Sequence, residues 1–208
     1  MSENCLSADK VKIGAVVLAA GHSRRFEGNK LLLRMEDGRT MLEVVVGHLL
    51  RLDTVVAVVV ARANLELIDL CQQLQVETIF IESIGETEKR DMSVSARAAA
   101  NYAIEQRWVG MLLCLADMPF IGSDTYQEMI RQKGLSRASF KGRPGHPVFF
   151  PADLLPGFSQ LSGDVGAKAI LDSNADQLSL IDMDDAGVLF DIDTREQWDV
   201  LMKRYVVG

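Results

Sequence analysis

Residues 13–30, IGAVVLAAGHSRRFEGNK, decide how this chain reads. The first six are apolar without polar alternation. A short continuous apolar run predicts a strand buried on both faces, as parallel sheets require. The run passes straight into Ala19, Ala20 and Gly21, and then into a polar loop ending at Lys30. In open α/β sheets, ligands sit beyond the carboxyl ends of the strands. Gly21 and Gly28 allow backbone N–H groups to approach an anion closely, and Arg25 and Lys30 add charge suited to phosphate oxygens. By pattern alone an ordinary solvated strand–helix loop fits equally well. Two better-known phosphate loops are excluded. Gly28 is followed by Asn29 and Lys30, not by Lys-Ser/Thr, and no GxGxxG occurs.

Outward from this segment, apolar runs alternate with helical periodicity. Helices are expected over 40–52, 64–74, 93–106 and 123–133, with Thr40 and Asn64 as N-caps. Buried strands are expected over 54–60, 77–81 and 109–115. That alternation predicts an α/β three-layer sandwich: a mostly parallel twisted sheet with helices on both faces. The pattern changes after residue 136. Short strands at 138–141 and 148–150 flank a turn at Gly142, Arg143, Pro144 and Gly145. Helices follow at 152–161 and 165–171, strand-like runs at 178–181 and 188–192, and a last helix at 194–205. Residues 1–10 read as a flexible tail and 11–208 as a single domain, without repeats or linkers.

Composition narrows the function classes. The 208 residues are 48% hydrophobic and 25% charged, and the net charge is −7. The whole imbalance lies in residues 151–208, with eleven Asp/Glu against four Lys/Arg. No basic excess marks a nucleic-acid surface. Cys5, Cys71 and Cys114 are odd in number and widely spaced, which argues against a zinc site or disulfide framework. A reducing, cytoplasmic setting is expected. The polar start has no signal-peptide character, and no apolar run approaches the ~20 residues of a membrane span.

Several side chains are candidates for chemistry. Asp117 follows the fourth predicted strand, where a carboxylate suits a hard cation such as magnesium, or caps a turn before Pro119. Asp191 and Asp193 end a strand-like run, and alternation puts both on one side of it. One of them joins Asp117 at a metal, or Asp193 caps the last helix. His146 is a ligand contact or proton shuttle, or simply finishes a turn. Asp164 reads as an N-cap with Lys168 one turn in, an arrangement that also attracts anions. Ser93 and Ser95 open a helix whose amides and hydroxyls suit a nucleotide, while capping alone accounts for Ser93.

Six segments in order resemble one family. LAAGHSRRFEGNK is similar to LAAGxSxRMGxxK, DMSVS to GMSxS, and LADMPF to LxDxPF. GRPGHPVFF is similar to GxxGHPVxF, GDVGAK to GDxGAR, and DIDTREQW to DIDTPEDL. These are motifs of the molybdenum cofactor cytidylyltransferases, within the MobA-like nucleotidyltransferases of Rossmann-like fold. The resemblance implies transfer of CMP from CTP to the terminal phosphate of molybdopterin, with release of pyrophosphate. It implies a nucleotide site at Leu18, Ala19, Ala20, Gly21, Ser23, Arg25, Lys30, Ser93 and Ser95. Catalysis would fall to Lys30, Arg25 and Asp117, and Mg2+ to Asp117 with Asp193 or Asp191. The acceptor would meet Gly145, His146, Asp164 and Lys168. The nucleotide part would span about 11–120 and the acceptor part about 121–208. Ala20 matches the LAAG form associated with cytidine. Asp91, Glu27, Lys168 and Arg195 depart from the pattern. GTP or ATP, another phosphorylated acceptor, or a carrier role with transient contact to a molybdoenzyme are the alternatives.

Overall fold

The computed structural model of the chain describes residues 12–21, 29–82, 92–163 and 166–206, without the side chains of 204–206. The expected N-terminal tail lies outside the described residues, as do Ser23, Arg25, Asp91 and Asp164.

Seven strands form one sheet in the order β3-β2-β1-β4-β6-β5-β7. They are β1 (Ile13–Leu18), β2 (Val55–Ala61), β3 (Glu77–Ile81), β4 (Gly110–Leu115), β5 (Ser136–Phe140), β6 (Arg143–Pro151) and β7 (Ser179–Asp182). Only β6 runs against the rest, antiparallel to both β4 and β5. Among the described residues the α-helices are α1 (Met41–Leu49), α2 (Leu65–Gln73), α3 (Met92–Glu105), α4 (Ser123–Met129), α5 (Lys168–Ser173) and α6 (Arg195–Val206).

The sheet is covered on both sides, which is why its central strands are continuously apolar. Ala15, Val17, Val58 and Leu112 face α1, α2 and α4, where Val45, Leu49, Leu67 and Tyr126 pack. Val16, Val59, Met111 and Leu113 face the other way, onto Ala96, Ala99, Ala100 and Ala103 of α3. The alanine-rich face lets that helix lie close to the sheet. A third cluster joins Met41 to Ile192, Trp198 and Leu201, and so seats α6 beside the start of α1.

Local chemistry sets the boundaries. Thr40 and Glu43 form a reciprocal capping box at α1. Asn64 caps α2 by accepting from Leu67 N at 3.2 Å. The predicted turn at 142–145 is displaced. The β5–β6 loop is Lys141-Gly142, with φ of 52° and 75°, and Phe140 pairs with Arg143 across it. Two consecutive positive φ values make this the two-residue hairpin type whose twist matches its strands. Arg143, Pro144 and Gly145 therefore belong to β6.

Three further expectations are corrected. Residues 188–192 form no strand. Ala186–Leu189 is a 3-10 turn, capped where Asp185 accepts from Gly187 N at 2.8 Å. Backbone approach holds this segment: a Cβ at Gly145 would stand 2.0 Å from the Val188 carbonyl oxygen, and one at Gly187 2.1 Å from that of Phe120. Ala152–Gln160 is likewise 3-10 helix, with Pro156 inside it removing a donor. Finally, α5 starts at Lys168, so that lysine opens the helix and does not lie a turn within it.

Candidate active site

The chain steps from β1 outward to β2 and β3, then returns to lay β4 on the other side of β1. β1 and β4 are thus parallel neighbours at the point where the strand order reverses. Ligand crevices open at such switch points. The ladder continues slightly past the strands: Ala19 N donates to Val59 O at 2.9 Å and Ala116 N to Leu18 O at 3.1 Å. Gly21 is exposed just beyond β1, and Asp117 stands two residues beyond β4.

Lys30 reaches this crevice from a 3-10 turn over Lys30–Leu32. Asn29 caps the turn by accepting from Leu31 N at 3.2 Å, and its amide donates to Asn64 Oδ1 at 3.3 Å. The turn is thereby tied to the cap of α2. Lys30 Nζ donates to Asp117 Oδ2 at 2.8 Å, to the Ile192 carbonyl at 2.6 Å and to Asp193 Oδ1 at 3.2 Å. The ammonium is mostly buried. Segments 87 and 163 residues away in sequence thus meet at one atom.

The C-terminal segment is held there by its backbone. Ile192 N donates to Asp117 O at 3.0 Å, while the Ile192 side chain is fully buried in the α6 cluster. Thr194, not Asp193, caps α6: its hydroxyl accepts from Gln197 N at 3.2 Å. Gln197 Oε1 in return accepts from Asp193 N at 2.7 Å and Thr194 N at 2.9 Å. This capping box leaves the Asp193 carboxylate for Lys30, so the capping explanation of Asp193 falls. The two aspartates do not share a strand face, because there is no strand. Asp191 is nonetheless near: partial burial and the charges of Asp117 and Asp193 raise its carboxyl above the usual range, against an opposing pull from a backbone hydrogen bond and Lys30.

The other expected residues are less concentrated. Ser93 is fully buried in the first turn of α3 and accepts from Arg97 Nη1 at 2.8 Å; Ser95 is half-buried in the same turn. Arg97 also donates to the Leu161 carbonyl, tying α3 to the segment that precedes Gly163. The packing against Val188 accounts for Gly145, whose carbonyl accepts from Arg137 Nε at 2.7 Å. His146 is largely enclosed, and its Nδ1 has no hydrogen-bond partner among the described residues. Burial, then the nearby Arg137 charge, push its pKa down to about 4, so it carries no charge near neutrality. A group neutral at that pH is poorly matched to donating a proton there. Lys168 is exposed and pairs with Asp172 along α5. Burial raises the thiol pKa of Cys71 to about 11 and that of Cys114 further, so neither is a thiolate nucleophile.

Sequence reasoning missed the Ile192 carbonyl, Gln197 and Arg97. The Thr194-x-x-Gln197 spacing is a capping-box signal and was available. The carbonyl was not, since any residue supplies one.

A family model for the MobA-like NTP transferase domain matches residues 15–178. The chain belongs to that family. The MobA-like chain is 28% identical over 202 residues to the purine catabolism protein PucB of Bacillus subtilis, covering 90% of this chain and 95% of that one. It is also 28% identical over 197 residues to the nicotine blue oxidoreductase of Paenarthrobacter nicotinovorans, covering 89% and 94%. Among solved structures, Rv0371c of Mycobacterium tuberculosis superposes with a TM-score of 0.78 at 22% identity, covering 92% and 98%. The same protein in complex with manganese gives 0.76 at 21%, covering 93% and 98%.

As a MobA-like transferase the protein is a nucleotidyltransferase, a class that works with divalent metals. Its donor set suits a hard cation, since Asp117 and Asp193 turn carboxylate oxygens toward one point. No three Asp, Glu, His or Cys side chains among the described residues form a complete metal cage. Magnesium asks for less: one or two carboxylates, with water and substrate phosphate completing the shell. No helix of the described residues is long and apolar enough to cross a membrane.

Proposed function

We propose that this MobA-like transferase moves CMP from CTP to the terminal phosphate of molybdopterin or its molybdenum-bearing form and releases pyrophosphate. The observation that carries the reading is the meeting of Lys30 with Asp117 and Asp193 at the carboxyl ends of β1 and β4. A cation and carboxylates in that crevice suit a metal-bound triphosphate. Cytidine is favoured by Ala20 in the LAAG form. The pterin is favoured by the GHP and GDVGAK segments.

In this reading Leu18, Ala19, Ala20, Gly21, Ser23 and Arg25 line the phosphates, and Ser93 and Ser95 border the nucleoside. Gly145, His146, Asp164 and Lys168 belong to the acceptor side. Residues 11–120 form the nucleotide part and 121–208 the acceptor part. Mg2+, held by Asp117 with Asp193 or Asp191, would supply charge neutralisation for the reacting phosphates.

An oxygen of the acceptor phosphate forms a bond to the α-phosphorus of CTP. The bond from that phosphorus to the bridging oxygen of the β-phosphate breaks, and pyrophosphate leaves with the electron pair. A phosphate monoester is already anionic near neutral pH, so no general base is needed. That agrees with a neutral His146 and with protonated thiols at Cys71 and Cys114. Lys30 and Arg25 stabilise the charge of the departing pyrophosphate. The rigid mounting of Lys30 and the seating of Ile192 hold the reacting groups in register.

The test is pyrophosphate release with each of the four nucleoside triphosphates, Mg2+ and molybdopterin. CTP with molybdopterin is expected to turn over fastest. Turnover with GTP or ATP, or only with a sugar or isoprenoid phosphate, would reassign the substrate. Tight molybdenum cofactor binding without pyrophosphate release would identify a carrier that hands it to a molybdoenzyme.

A further inference from the structure

Among the described residues, Lys30 donates to two carboxylates and one carbonyl, at 2.8, 3.2 and 2.6 Å, as many acceptors as an ammonium has hydrogens. The carboxylate oxygens of Asp117 and Asp193 are the ones read above as metal ligands. A divalent cation on those oxygens would stand within a few ångströms of the ammonium. Two cations at that distance repel strongly in a partly desolvated crevice.

We propose that Lys30 is the resident counter-ion of this carboxylate pair, and that metal and nucleotide displace it together. Free metal must compete with the ammonium for Asp117 and Asp193. Metal that arrives on a triphosphate brings anionic oxygens to which the ammonium transfers. Lys30 therefore opposes binding of bare metal and favours binding of the metal–nucleotide complex. The inference rests on the reading of Asp117 and Asp193 as metal ligands. It adds an order of events: the site stays charge-balanced by its own lysine until substrate enters.

The test uses Mn2+ as the probe, with unbound Mn2+ read by electron paramagnetic resonance. Without nucleotide, Lys30→Met is expected to bind Mn2+ about tenfold more tightly than wild type, since one positive charge beside the ligands is gone. Lys30→Arg keeps the charge and is expected to stay near wild type. Affinity for Mn2+–CTP is expected to fall at least tenfold in Lys30→Met. Lys30→Gln retains a donor for the Ile192 carbonyl and serves if Lys30→Met does not fold. Equal or weaker Mn2+ binding in the neutral variants overturns the proposal. Adding Asp117→Asn to Lys30→Met separates the two claims. If tight Mn2+ binding survives it, the metal lies elsewhere and the assignment of the ligands itself falls.

Discussion

At Asp117 one residue serves two partners that the sequence keeps far apart, one through its side chain and one through its backbone. Its carboxylate accepts from Lys30, and its carbonyl accepts from Ile192 N. Asp117→Asn keeps the shape and removes the charge, so turnover is expected to fall by about 10²-fold or more with the melting temperature nearly unchanged. Steady-state pyrophosphate release beside a thermal melt checks both. His146 gives a pH prediction. Its folded pKa of about 4 lies below the ordinary 6.5. Between those values the unfolded chain binds the proton more readily, so stability rises with pH across that window. The contribution is complete above about 6.5 and is lost as pH falls toward 4. His146→Gln is expected to remove roughly 1–3 kcal/mol of that pH dependence, read by urea unfolding at pH 4.5 and 7. Lys30, closing the loop after the first strand, and Asp117, just past the fourth, were legible as residue types in the sequence. The burial that neutralises His146 was not, because it depends on what packs over β6.

Among the elements, caps and tight turns carried the readable information. Thr40 and Asn64 announced the starts of α1 and α2, since short polar side chains before an apolar periodic run satisfy orphan amides. Thr40→Ala is expected to cost about 1 kcal/mol by chemical denaturation, with no change in substrate affinity. The run at 188–192 misled for a definable reason. Val188 and Ile192 are fully buried, as in a strand, but Ile192 packs with α6, and the close backbone approaches are of Gly145 to Val188 and of Gly187 to Phe120. Composition does not separate those two ways of being buried. Gln197 shows how an element end becomes part of a site, since its side chain holds the amides of Asp193 and Thr194. Gln197→Ala is expected to destabilise the protein by roughly 1 kcal/mol and to weaken Mn2+–CTP binding several-fold. Calorimetric titration distinguishes this from a purely structural loss, which would leave binding unchanged.

Across the molecule, the site depends on a C-terminal helix that acts by seating Ile192 and Asp193. Ile192 is clamped between Asp117 and the cluster of Met41, Trp198 and Leu201. Phe158 is buried as deeply on the opposite side of the sheet, packed edge-on against Phe150 at 5.0 Å between centroids. Trp198→Ala and Phe158→Ala are each expected to cost about 3–5 kcal/mol. Only the first is expected to lower catalysis disproportionately, in assays at a temperature where both variants remain folded. The parallel part of the sheet was readable from the sequence, because β1, β2 and β4 are free of polar side chains and separated by periodic helices. The reversed β6 and the return of α6 to the crevice were not, since both follow from tertiary pairing.

The most direct test is calorimetric titration of Mg2+–CTP into wild type, Asp117→Asn and Asp193→Asn. Wild type is expected to bind, and each variant to lose at least tenfold in affinity while keeping its fold. Wild-type affinity in both variants would contradict the convergence of Lys30, Asp117 and Asp193 on the triphosphate.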